Sequence, residues 1–223
     1  MDVSRDPRLL MAGKALDMLT DSITSWRMPW RIDRNRLAGE LKKARKALYT
    51  MRYSYTPPTT LAKTEEATII EETARSIAGE ILETPPGTTL TPAQKLAHAT
   101  NRWALNILGG LKYRLLLGDE PHPEYSVDIV GVEVTRVEEL APGLKATRAT
   151  TGRTTLTIVT NIQEIKPGEV RAAAILPPRQ FHNTISEAMY ASPRIEDKYL
   201  GKRVPTRLLS PDLRGTIMTI LKQ

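Results

Sequence analysis

Cationic side chains crowd one short stretch of this 223-residue chain. Between Arg27 and Arg52, nine Lys or Arg stand against only Asp33 and Glu40, so this stretch alone accounts for the formal net charge of +7 and the remainder is close to neutral. Within it Lys42, Arg45 and Lys46 stand at i, i+3 and i+4, which on a helix gathers three cations onto one contiguous face. Such a face suits a phosphate backbone, because each neutralised phosphate releases condensed counterions. Tyr49, Tyr53 and Tyr55 follow closely and offer rings on which bases can stack. The competing role for the same residues is a solvated basic face, with the tyrosines covering a seam between helices. A sequence pI near 9.7 favours a polyanionic partner, nucleic acid before an anionic surface.

Other chemistry is poorly provided for. No cysteine occurs, which excludes a disulfide, a thiolate nucleophile and a Cys-based zinc site. His98, His122 and His182 lie far apart in sequence, and neither a P-loop nor a G-x-G-x-x-G run is present. Adjacent carboxylates such as Glu65-Glu66 point about 100° apart on a helix and form no shared acid/base dyad. The expectation is therefore a protein that is not an enzyme and needs no cofactor and no metal. Asp2, Arg5, Asp6 and Arg8 near the start argue against a secretory signal, and no run of about eighteen apolar residues is present to span a bilayer. A soluble, cytoplasmic protein is expected.

The elements that must position these residues change character midway. Asp6-Pro7 places a capping acceptor before a helical proline, and Leu9, Leu16, Leu19 and Ile23 then recur at helical spacing, predicting a helix from Pro7 to Ser25. Leu37, Leu41, Ala44, Leu48 and Met51 form a narrow seam suited to one partner helix, on an element ending before Pro57-Pro58. Ile70, Ala74, Ile77 and Ile81 repeat the spacing in a third helix from Thr64 to Glu83. A fourth begins at the capping box Thr91-Pro92-Ala93-Gln94 and is expected to break at Gly109-Gly110.

Beyond Gly118 the apolar period becomes two. Val130, Val132 and Val134 alternate with Gly131, Glu133 and Thr135, and Thr151-Gly152 separates two Thr-rich runs as a tight hairpin turn would. With Val170 to Leu176 and Ile185 to Ala191 these make five short strands, the number of an OB barrel. A helical segment closes the chain from Ser210 to Leu221. The expected fold class is α+β: a helical domain over 1–118, a five-stranded OB-fold over 119–205 and a helical tail over 206–223. OB-folds bind nucleic acid across strands two and three, the neighbourhood of Lys145, Arg148 and Arg153. Arg179 and Gln180 follow Pro177-Pro178 in what reads as a rigid loop before the last strand.

Five short patterns occur in order over this half: Val127-Asp128-Ile129 with Val130-Gly131, Thr160-Asn161, Lys166-Pro167-Gly168, Pro177-Pro178-Arg179 and Ser186-Glu187-Ala188-Met189. Together they resemble the EMAP-type tRNA-binding domain, an OB-fold, over roughly Tyr125 to Ser192. A helical domain ahead of an EMAP domain is an archaeal-type arrangement of such RNA-binding proteins. Ala188 stands where that family usually has Gly, and Ala141-Pro142-Gly143 replaces its His-Pro loop. The resemblance implies that Asn161, Ser186, Glu187 and Met189 contact tRNA or shape the loop that does. It also implies a translation-linked role and a homodimer through the OB domains; the narrow seams read from spacing at Leu37 to Met51 and Ile70 to Ile81 offer a competing interface.

The reading is non-catalytic binding of tRNA or another structured RNA, with the basic helix adding backbone affinity. The alternative is a protein-interaction factor that docks on the ribosome or an aminoacyl-tRNA synthetase. A chaperone-like dimer comes third, because a secretion-associated bacterial relative of that family shares the Pro-Pro-basic and Ser-Glu features.

Overall fold

A computed structural model of the chain describes residues 3–25 and 28–223. Backbone contacts divide it into two compact units, residues 1–127 with Gln223 and residues 128–222. The division, after Val127, falls well beyond the Gly118 boundary read from the change of apolar period.

The first unit is helical: α1 (Pro7–Ser25), α2 (Arg34–Arg52), the single turn α3 (Pro58–Leu61), α4 (Glu65–Ile81), α5 (Pro92–Gly109) and α6 (Leu111–Leu115). The capping residues set the starts. Asp33 accepts from the Arg36 amide at α2, Thr64 from Ala67 at α4, and Thr91 and Gln94 complete the reciprocal box at α5. The long helices pack α1 on α2, α2 on α4, α4 on α5 and α5 on α1, a closed ring of pairings. Leu37, Leu41, Ala44, Leu48 and Met51 are all buried, so the α2 seam serves two neighbours rather than the expected one. Ile70, Ala74, Ile77 and Ile81 are likewise buried, which leaves neither seam open to a second copy of the chain.

Two buried arginines brace the end of this unit. Arg8 binds both Asp6 carboxylate oxygens, at 3.0 and 2.9 Å, and donates to the carbonyls of Arg114 and Gly118 at 3.0 and 2.7 Å. Its guanidinium also lies 5.6 Å from the centre of the Tyr125 ring. A buried charge is tolerated only when paired and fully hydrogen-bonded, and Arg8 meets both conditions while capping carbonyls in the last turn of α6 and just past it. Arg114, also fully buried, reaches back to the Ile107 carbonyl. The helix breaks at Gly109-Gly110 as expected, and Gly110 leaves room for this second arginine, since a Cβ there would stand 2.5 Å from Arg114 Nη1.

The second unit holds β1 (Ile129–Ala141), β2 (Leu144–Thr150), β3 (Thr155–Thr160), β4 (Val170–Phe181), β5 (Thr184–Ile195) and the short helix α7 (Asp212–Lys222). All ladders are antiparallel, in the order β3-β2-β1-β4-β5. The expected α+β class, with five strands and a terminal helix, is what the chain adopts. The outer strands β3 and β5 also lie side by side, so the sheet curls towards a barrel around Val132, Val134, Ala149, Ile158, Ala173 and Tyr190. Inside, the Thr147 hydroxyl donates to the Ile158 carbonyl at 2.8 Å and meets the Tyr190 hydroxyl at 2.6 Å. Having spent its one hydrogen, Thr147 accepts from Tyr190, and burial pushes the Tyr190 pKa up to about 12.

Gly131 has a reason visible only in three dimensions. The segment 199–203 crosses β1 there, with Gly131 N donating to Lys202 O at 2.9 Å and Gly201 N to Gly131 O at 2.8 Å. A Cβ at Gly131 would collide with the Tyr199 carbonyl.

Candidate nucleic-acid interface

The residues expected on β2 and β3 are spread along one hairpin. Lys145 sits at the start of β2, with Nζ on the Gln163 carbonyl. Arg148 is exposed at mid-strand, and Arg153 is exposed in the turn that joins β2 to β3. Asn161 is exposed just past β3, and its carbonyl accepts from the Gln163 side chain at 2.8 Å.

Register adds a residue that the sequence did not offer. β1 carries a bulge between Val134 and Arg136, and beyond it Arg136 stands directly opposite Arg148, both exposed. Arg148 in turn faces Thr157 across β2 and β3. Like charges opposed on neighbouring strands destabilise the pair, so two arginines held there form a place where an anion relieves repulsion. Arg136 is bridged to Glu138, which offsets part of that repulsion. The only sequence signal was the alternation of β1, and a one-residue bulge reverses what alternation implies.

The Pro177-Pro178-Arg179 run corrects an expectation: it is strand, not loop. β4 continues through it to Phe181, and the turn into β5 lies at His182-Asn183, with His182 at φ +53°. Between the pairs Ile175↔Ala188 and Arg179↔Ser186 the β4 side holds two extra residues, a bulge that absorbs both prolines. Arg179 and Gln180 are exposed on this hairpin. Ser186, Glu187 and Met189 lie in the strand expected over Ile185 to Ala191, which runs as β5 from Thr184 to Ile195.

Ser186 and Glu187 have structural partners. The Val159 amide donates to Ser186 Oγ and the Thr157 amide to Glu187 Oε2, each at 3.0 Å. These two amides belong to the outer strand β3, and the side chains of β5 take the place of a neighbouring backbone. Met189 is half-buried on β5, paired with Ala174.

On the helical unit, α2 sorts the expected trio. Arg45 pairs with Asp17 of α1 at 2.9 Å and Lys43 with Glu40 at 3.3 Å. Lys42 and Lys46 are exposed and make no ion pair among the described residues. Arg36 is held by Glu80 and by the Ser76 hydroxyl, the latter at 2.9 Å. Arg27 lies outside the described residues. Of the histidines, His98 is half-buried beside Trp30, and burial lowers its pKa, with the Arg102 charge adding to the shift.

A family model described as an alpha helical domain matches residues 1–118. The chain belongs to this family. The alpha helical domain so defined ends at Gly118, the boundary read from the change of apolar period, and it takes in all six helices of the first unit. No EMAP or other tRNA-binding family model matches, and no curated protein matches the chain. Among the described residues no helix is long and apolar enough to cross a membrane.

Proposed function

We propose that the protein binds structured RNA, tRNA first among candidates, without acting on it chemically. The observation that carries this reading is the opposed pair Arg136 and Arg148 on the outer face of the curled sheet. It is supported by the exposed Arg153 and Arg179 on the same unit and by the unpaired Lys42 and Lys46 on α2. The strand order, with β3 beside β5, also fits the OB-type reading of the EMAP-like patterns. Guanidinium groups on a rigid sheet can fork onto phosphates or stack on splayed bases, the two modes by which loops of structured RNA are read.

The test is tRNA binding by the full chain across a salt series. Arg136→Gln with Arg148→Gln is expected to lower the slope of log affinity against log salt by roughly 1.5 to 2, at about 0.7 to 0.9 per lost phosphate contact. An unchanged slope in a folded variant removes the sheet from the interface. Failure of the parent to bind tRNA or any folded RNA removes the reading itself.

A second reading, docking on the ribosome or an aminoacyl-tRNA synthetase, is favoured by Tyr113 and Leu116. They lie three residues apart at α6 and are exposed by 54% and 53%, an apolar pair that a protein partner would cover. A protein that co-purifies in equal amount and is lost on Tyr113→Ser with Leu116→Ser would support it.

A further inference from the structure

The outward side of α2 carries a pattern that neither the helix ring nor the sheet uses. Lys42, Lys46, Tyr49 and Tyr53 follow at steps of 4, 3 and 4 residues, which places them on one stripe of the helix, opposite the buried seam of Leu37, Leu41, Ala44, Leu48 and Met51. The stripe runs about 16 Å along the axis at about 1.5 Å per residue. Tyr49 is 65% and Tyr53 61% exposed, far more than rings that cover a helix-pair seam would be, so the competing role given to them by sequence fails. The two rings lie in contact, with centroids 4.6 Å apart and planes tilted by 41°, and each orders the other. Tyr55, 89% exposed, extends the aromatic end past the helix.

Charge decides what this surface accepts. The one acidic residue of α2, Glu40, is turned to Lys43, and Asp17 of the neighbouring α1 is taken by Arg45. Lys42 and Lys46 thus stand with no carboxylate to neutralise them among the described residues, beside rings that stack on each other and are otherwise mostly exposed. Ammonium groups at one end and open aromatic faces at the other match a chain that alternates phosphate with base. A duplex presents its phosphates but keeps its base faces stacked inside; only an unpaired strand offers both.

We infer that α2 holds an unpaired segment of RNA, with Lys42 and Lys46 on consecutive phosphates and Tyr49 and Tyr53 stacked on bases of the same strand. The inference rests on the RNA reading above and narrows it: this helix selects single-stranded ends or loops rather than adding affinity for all RNA alike. The rings already touch, so bases stack on their outer faces and are not clamped between them.

The test uses the full chain and two probes, a twelve-nucleotide oligouridylate (about twelve, to exceed the stripe) carrying one internal 2-aminopurine, and an RNA duplex of equal length. With the parent, 2-aminopurine fluorescence should be quenched on binding. Tyr49→Ala with Tyr53→Ala should weaken the single-stranded probe about tenfold or more and abolish the quench, with little change for the duplex. Lys42→Gln with Lys46→Gln should weaken the single strand while the quench at saturation remains. All four positions are exposed, and an unchanged melting midpoint confirms that each variant is folded. If the parent binds both probes and the tyrosine variant binds them equally well, the inference is wrong while the RNA reading stands. If the parent binds neither, the inference falls, and the tRNA titration above decides the RNA reading separately. A tyrosine variant that keeps both probes but loses a co-purifying protein assigns the stripe to protein docking and overturns the inference.

Discussion

The hydroxyl of Ser186 on β5 accepts a hydrogen bond from the amide of Val159 on β3 at 3.0 Å. Two steps earlier on β3, the Thr157 amide meets the Glu187 carboxylate in the same way. β3 and β5 both run antiparallel to a neighbour of β1, and hence run parallel to each other. Side chains bridge them where a backbone ladder would otherwise form. The pair Ser186-Glu187 is thus the closure of the curled sheet.

Ser186→Ala leaves the Val159 amide without its acceptor and is expected to cost about 1 to 3 kcal/mol. Urea unfolding of the full chain, followed by a probe of the β unit, measures it. RNA affinity should be read at concentrations where the variant is folded. A loss seen only there marks a contact, and a loss that tracks stability marks closure.

Gly131→Ala is expected to be more damaging than any exposed glycine change, because the methyl group meets backbone at Tyr199 and not the end of a flexible side chain. The cost should be about 1 to 3 kcal/mol of overpacking, together with detachment of the 199–203 crossing. Faster amide exchange at Gly131 and Gly201, whose amides are bonded across that crossing, is the local signature. Gly215→Ala, at an open position on α7, is the control and should be neutral or slightly stabilising.

Asp6→Asn removes the charge that balances buried Arg8. The expected loss is about 3 to 5 kcal/mol, since an uncompensated buried guanidinium remains. Thermal unfolding of the helical unit should report it. Asp6→Leu combined with Arg8→Met should recover much of that loss, as replacing both members of a buried pair costs less than orphaning one.

The helical unit should weaken in mild acid. Burial, with Arg102 adding to the effect, holds the His98 pKa below its ordinary 6.5, so between the two values the unfolded chain binds a proton that the folded chain refuses. This share of stability is complete above pH 6.5 and is lost as pH falls through the lowered folded value. Unfolding midpoints taken from about pH 7.5 down to about pH 5 should show the decline. His98→Phe should flatten it in that window.

The helices were legible because their signals are local. Asp6 and the Thr91-Gln94 box announce their helix starts within three residues, and Gly109-Gly110 announces a break. The buried role of Arg8 was not legible, because its acceptors at Arg114 and Gly118 lie more than a hundred residues away in sequence. The strands were also readable, but their register was not. Opposing Arg136 to Arg148 depends on one bulged residue, and Pro177-Pro178 read as loop because proline lacks a donor, a lack that a bulged strand can absorb. Ser186 and Glu187 were identified as residues that matter, and the bonds to β3 give them a structural role beside the expected RNA contact.

Those same prolines bear on how the molecule behaves in a crowd. Beyond Ile175 the outer part of β4 is laddered only to β5, and among the described residues no strand pairs with its other side, an edge of the kind that recruits strands from neighbouring molecules. Backbone donors of successive strand residues point to opposite sides, so of Pro177 and Pro178 one removes a donor from that edge, and an incoming strand finds a gap where one of its carbonyls needs a partner. Replacing them with valines would complete the edge, and the expected result is chains that assemble end on end through their hairpins at high concentration.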